Sequence, residues 1–283
     1  MKQKFNTDLA CENAKFCGDN KNYEEINLEY CIVLRQRVTD ERCGKEADCV
    51  TVFCDKLNLL DEYTQTLISL TLSEELVNLI GKIFNGKKVN ELSYLIVGLG
   101  NSDFTADSIG PSTAQMIIPT KHILPADRCG MPSVSVFIPG VVSKSGIESA
   151  NMVKSVSNEI LPDLVIAIDS LSARSCERLG KTIQISSSGI SPGSGVRNSR
   201  IAINEETVGI PVISVGVPTV VDSATLVLDT LERAGFEKID ENLFAVLKES
   251  KSFFVTPKEC DDIIKSAAEL ISKAIHKALG IIS

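Results

Sequence analysis

From about residue 92 onward the chain alternates between apolar runs of strand length and stretches whose apolar positions recur at helical intervals. The strand-like runs are Tyr94 to Val97, Val134 to Ile138, Leu164 to Ile168, Thr182 to Ile185 and Pro211 to Val215. The helical stretches between and after them are Pro111 to Ile118, Ile147 to Ile160, Ala173 to Leu179 and Ala224 to Ala234. Strands alternating with helices at these lengths predict right-handed βαβ units. The expected fold class is therefore α/β, with a mostly parallel or mixed sheet carrying helices on both faces.

The first third is less regular. Strand-leaning runs occur at Tyr30 to Leu34 and Cys49 to Phe53, and a helical pattern from Leu67 to Phe84 closes at Gly86-Lys87-Lys88. A last helix opens near Pro257-Lys258-Glu259 and runs toward Ala278. Residues 1 to about 22 read as an extended, cleavable or mobile leader. No internal repeat or low-complexity linker divides the rest, so one domain is expected.

Charge and composition narrow the partners. Lysine and arginine number 29 against 37 acids, a net charge of -8, and there is no tryptophan. A polyanion is disfavoured and direct nucleic-acid binding is not expected. No uncharged apolar run approaches the roughly 18 residues that cross a bilayer, so no membrane partner is expected. The start Met1-Lys2-Gln3-Lys4-Phe5 has no apolar core of a secretion signal. Nine cysteines, an odd number, suit a reducing cytoplasm. Cys43, Cys49 and Cys54 invite a zinc reading, yet no C-x-x-C pair exists, and buried thiols are the alternative.

Candidate chemistry collects at two acidic turns. Gly98-Leu99-Gly100-Asn101 leads to Asp107-Ser108-Ile109-Gly110-Pro111, and Leu164 to Ile168 leads to Asp169-Ser170. Each places an aspartate where an apolar strand is expected to end, the region in which ligands gather in open parallel sheets. One such aspartate is commonly a cap or turn former. Two that meet can share a proton, one acid activating water while the other polarises a carbonyl. A dinucleotide turn after Gly98 would need a third glycine at position 103, where Asp103 stands, so no cofactor is expected. The glycine-rich stretch Gly189 to Asn198, with Arg197 and Arg200, is read either as an anion or peptide-carbonyl cradle or as a long surface turn. His276 reads as a surface or packing residue, and His122, 15 residues after the first turn, is a candidate to reach the crevice. H-E-x-x-H does not occur.

From Leu95 to the C-terminus the chain resembles the germination protease family, endopeptidases that degrade small acid-soluble spore proteins when a spore germinates. The matching pieces, in order, include Val97 to Asn101, Asp107 to Pro111, Pro139-Gly140-Val141, Pro162 to Arg174, Thr182 to Ser186, Gly189 to Val196, Gly209 to Ile213, Gly216 to Asp222 and Phe254 to Glu259. The resemblance implies that Asp107 and Asp169 are the catalytic pair, with no cofactor and no metal. Gly189, Gly193, Ser194, Gly195 and Asn101 are the expected substrate-binding positions. The resemblance also implies a zymogen: Thr7-Asp8-Leu9-Ala10-Cys11-Glu12 has the form of the family's cleavage sequence, giving a propeptide of residues 1–8, a cut between Asp8 and Leu9, and a peptidase domain over 9–283 whose part 23–90 diverges. It implies a homotetramer in the cytoplasm of the spore core and a fold similar to hydrogenase maturation peptidases. Ser187 and Arg197 depart from the family pattern. They keep two alternatives open, a paralogue that binds spore proteins or a partner without cleaving them and a metal-dependent peptidase of the maturation type.

Overall fold

The computed structural model describes residues 7–12, 23–39, 46–193, 200–236, 241–249 and 253–281. Three strands open it, β1 (Tyr23–Asn27), β2 (Ile32–Thr39) and β3 (Glu46–Phe53), followed by the long helix α1 (Glu62–Ile83). Then come β4 (Ser93–Gly98), α2 (Ile109–Met116), β5 (Ser133–Phe137), α3 (Val142–Ser145), α4 (Ser149–Ile160) and β6 (Leu164–Ala173). The remainder is β7 (Thr182–Ser186), α5 (Glu205–Val208), β8 (Val212–Asp222), α6 (Ser223–Arg233), α7 (Glu241–Glu249), β9 (Phe254–Val255) and α8 (Cys260–Leu279).

All these strands join one sheet in the order β1-β2-β3-β7-β8-β6-β4-β5, with β9 beside the far end of β8. The set β8-β6-β4-β5 is parallel, as the alternating pattern predicts. The other half is antiparallel, because β1 to β3 form a meander and β7 runs against both β3 and β8. The sheet is thus mixed.

Strands covered on both faces need apolar residues at consecutive positions, and β4 and β6 supply them. Tyr94, Ile96, Ile166 and Ile168 face one core together with Ile68 and Leu72 of α1, Ile109 of α2 and Ile264 and Ala267 of α8. Leu95, Val97, Val165 and Ala167 face the opposite core, with Ala150 and Val153 of α4 and Val208 of α5. Helices therefore cover both faces.

Several boundaries differ from the sequence reading. The expected helix over Ala173 to Leu179 is absent: β6 continues to Ala173 and only a short 3-10 turn, Cys176–Arg178, follows. The polar pair Asp169-Ser170 mimics a strand end, but Leu171 and Ala173 continue the alternation into the second core past a bulge at Leu171/Ser172. Helix α1 begins at Glu62, because the Asp61 side chain accepts from Thr64 N–H and caps it. Of the two readings of His276, packing holds: it is buried, and its Nε2 accepts the Ile118 N–H at 3.0 Å.

Candidate active site

The first acidic turn is held against β6 by backbone contact at glycines. A side chain on Gly110 would lie 2.2 Å from the Leu99 carbonyl oxygen and 2.4 Å from that of Ile168, so only glycine lets the start of α2 cross there. Gly100 has φ +112°, and a Cβ on it would sit 2.1 Å from the Asp107 carbonyl oxygen. With that approach allowed, the Asn101 N–H donates to both the backbone carbonyl of Asp107, at 2.9 Å, and its Oδ2, at 3.0 Å. From below, the buried Thr219 hydroxyl of β8 donates to the Ala106 carbonyl at 2.6 Å. Asp107 is thus fixed in a 3-10 turn, Thr105–Asp107, clamped between two strands.

Asp169 lies within β6, not at its end, and is 5 % exposed. It alternates with Ala167 and Leu171, so its carboxyl faces the second core. The Ser170 N–H donates to its Oδ1 at 2.9 Å. Both aspartates line one cavity of about 330 Å³, together with Asn101, Gly193, Thr219 and Asp8. That volume accommodates several waters or a stretch of peptide.

The two carboxyls differ from ordinary surface acids. Burial pushes Asp107 from 3.8 up to about 6, opposed by the Asn101 N–H, which favours the ionised form. Burial also raises Asp169 well above the usual carboxylate range, and the nearby charges of Asp107 and Asp8 raise it further. Both shifts favour the protonated form, and each carboxyl disfavours ionisation of the other, the setting in which paired acids divide general-acid and general-base work.

The remaining sequence-predicted residues are distributed unevenly. Asn101 and Gly193 line the cavity. Gly189 is not among its lining residues; with φ +74° and the Ile203 carbonyl where a side chain would stand, it shapes the turn that pairs Ile190 with Ile203. Ser194, Gly195 and Arg197 lie outside the described residues. Ser187 spends its hydroxyl on β3, accepting the Asp48 N–H at 3.0 Å. His122 sits exposed in a turn, and the cavity lining does not include it. Among the described residues no group of three or more His, Cys, Asp or Glu is placed to hold a metal ion.

The leader segment lies in the same cleft. The Asp8 N–H donates to the Ser172 carbonyl at 2.9 Å, and Asp8 Oδ2 accepts the Ser172 N–H at 2.9 Å. Leu9 is fully buried in the core that receives Leu171 and Ala173. Gln184 of β7 donates through Nε2 to the Asp8 carbonyl at 3.1 Å and accepts the Ala10 N–H through Oε1 at 2.7 Å. The sequence reading passed over Gln184, although its alternation with Ile183 and Ile185 signals a polar side chain on the face opposite those isoleucines. Gln184 and Asp169 both register with Gly216 and so share that face.

A family model described as germination protease matches residues 2–236. The chain is 36 % identical to the germination protease of Caldanaerobacter subterraneus subsp. tengcongensis over 96 % of this chain and 93 % of that protein. It is likewise 36 % identical to the germination protease of Clostridium tetani, over 96 % of this chain and 94 % of that one. The germination protease of Bacillus subtilis matches at 40 % over 66 % of this chain and 51 % of its own length. A match across most of the sequence, on a fold that gathers a buried and a half-buried acid in one cleft, places this chain in the germination protease family.

Proposed function

We propose that this peptidase hydrolyses small acid-soluble spore proteins with Asp107 and Asp169 acting on one water, and that it is made as a zymogen cut between Asp8 and Leu9. The observation that carries the reading is the single cavity onto which both raised-pKa carboxyls open. In the working state one acid is ionised and removes a proton from the attacking water. The other is protonated and donates to the carbonyl oxygen as it gains charge. Holding both groups on a strand and a clamped turn keeps the geometry fixed before substrate arrives. The zymogen reading is supported by the leader, whose Asp8 stands beside Asp169 and fills space that a substrate needs.

Recombinant Asp107→Asn and Asp169→Asn chains test the pair. Intact mass should show no loss of residues 1–8 in either variant, and an acid-soluble spore protein should remain uncut. Full processing and cleavage by both variants would exclude the pair.

A further inference from the structure

The docked leader is held by groups that read two different things. The two bonds from the Gln184 amide, to the Asp8 carbonyl and the Ala10 N–H, grip main chain on either side of Leu9 and accept any residue there. The acid at position 12 is read separately. Glu12 is only 7 % exposed, yet its Oε2 accepts the Arg174 N–H at 2.7 Å and its Oε1 accepts the Ser175 N–H at 3.1 Å. The Thr7 hydroxyl also donates to Glu12 and in turn accepts the Leu9 N–H at 3.1 Å. A buried carboxylate satisfied by two successive backbone N–H groups is recognised as a charge and as a shape, because an amide in its place would offer one acceptor and an unmatched NH2. Leu9, between these two grips, fills apolar space in the second core. Apart from Thr7, which belongs to the leader itself, the groups doing the holding lie on β6, on β7 and in the turn after β6.

We propose that Gln184 and the backbone N–H groups of Arg174 and Ser175 are the specificity subsites of the cleft, which residues 7–12 occupy in the manner of a substrate. Gln184 aligns the main chain where it turns after Leu9, the Glu12 N–H donating to the Leu9 carbonyl at 3.2 Å, and the 174–175 amides select an acid four positions after the acidic residue that lies beside Asp169. This deepens the proteolytic reading and rests on it, but the subsites themselves bind whether or not a bond is cut.

Binding is therefore the decisive measurement. In the full-length chain carrying Asp107→Asn to prevent cleavage, Glu12→Gln weakens the leader's own hold and opens the track. A fluorescein-labelled peptide with the sequence of residues 5–14 should then bind by anisotropy. The same peptide with Gln at the Glu12 position should bind about tenfold to a hundredfold more weakly, the usual worth of a hydrogen-bonded carboxylate. Because that change is in the peptide, folding of the protein is not involved. Adding Gln184→Ala to the protein should weaken both peptides by a similar factor, since it removes a main-chain grip. Binding indifferent to the peptide's Glu, or to Gln184, would overturn the proposal. Glu-dependent binding alongside a wild-type chain that cuts nothing would uphold the subsites and remove the hydrolytic reading instead.

Discussion

Replacing Asp107 by Asn should make the protein more stable at neutral pH while abolishing its activity. The carboxyl holds its proton up to about pH 6 in the folded chain, against 3.8 for the free side chain. A group whose folded pKa is raised favours the native state below its unfolded value and loses that contribution as the pH climbs through the folded one. Above about pH 7 the ionised Asp107 therefore weighs against folding by roughly 3 kcal/mol, from the linkage between pKa shift and stability. Asparagine has the same shape, keeps an oxygen for the Asn101 N–H and carries no charge. It also withdraws one of the charges that raise Asp169. Urea unfolding at pH 4, 6 and 8 measures the effect: the two proteins should coincide at the acid end, and the variant should gain about 2–3 kcal/mol at pH 8. An unchanged midpoint at pH 8, or a gain equally large at pH 4, would refute the claim that burial of this charge is the cost.

Other outcomes follow from the same geometry. The rate of substrate cleavage should rise with pH through a limb near 6, where Asp107 ionises, and fall again as the shared proton leaves at higher pH; a flat profile from pH 4 to 8 would contradict proton sharing. Gly110→Ala should destabilise by roughly 2–4 kcal/mol in thermal or urea unfolding, since its Cβ must displace two backbone carbonyls, and the little folded protein should be inactive. Thr219→Val should lower stability by about 1–2 kcal/mol and reduce kcat more than it raises KM, because the lost bond to Ala106 loosens the turn that aims Asp107 rather than any group that grips substrate.

The parallel half of the sheet was legible because β4 and β6 are buried on both faces and so read as unbroken apolar runs. The antiparallel half was not, since pairing partners such as β3 and β7 are far apart in sequence and nothing local specifies their direction. Asp107 and Asp169 stood out as acids at the ends of apolar runs, although Asp169 lies inside its strand. Their meeting depends on Gly110 crossing the Leu99 and Ile168 carbonyls, a contact that no spacing reveals. Gln184 was hidden for a different reason: a lone polar residue in a strand looks solvent-facing until the leader chain is laid over it.

The position of Leu9 separates two events that activation usually merges. A cut between Asp8 and Leu9 releases the residues before it, but Leu9, Ala10 and Glu12 remain covalently part of the enzyme, still bonded to Gln184 and to the Arg174 and Ser175 amides. The amino terminus made by the proposed cut would thus be a tethered product, present at an effective concentration on the order of millimolar. Under the proposed cut, hydrolysis alone would leave the enzyme product-inhibited, with turnover waiting until that stub has peeled away.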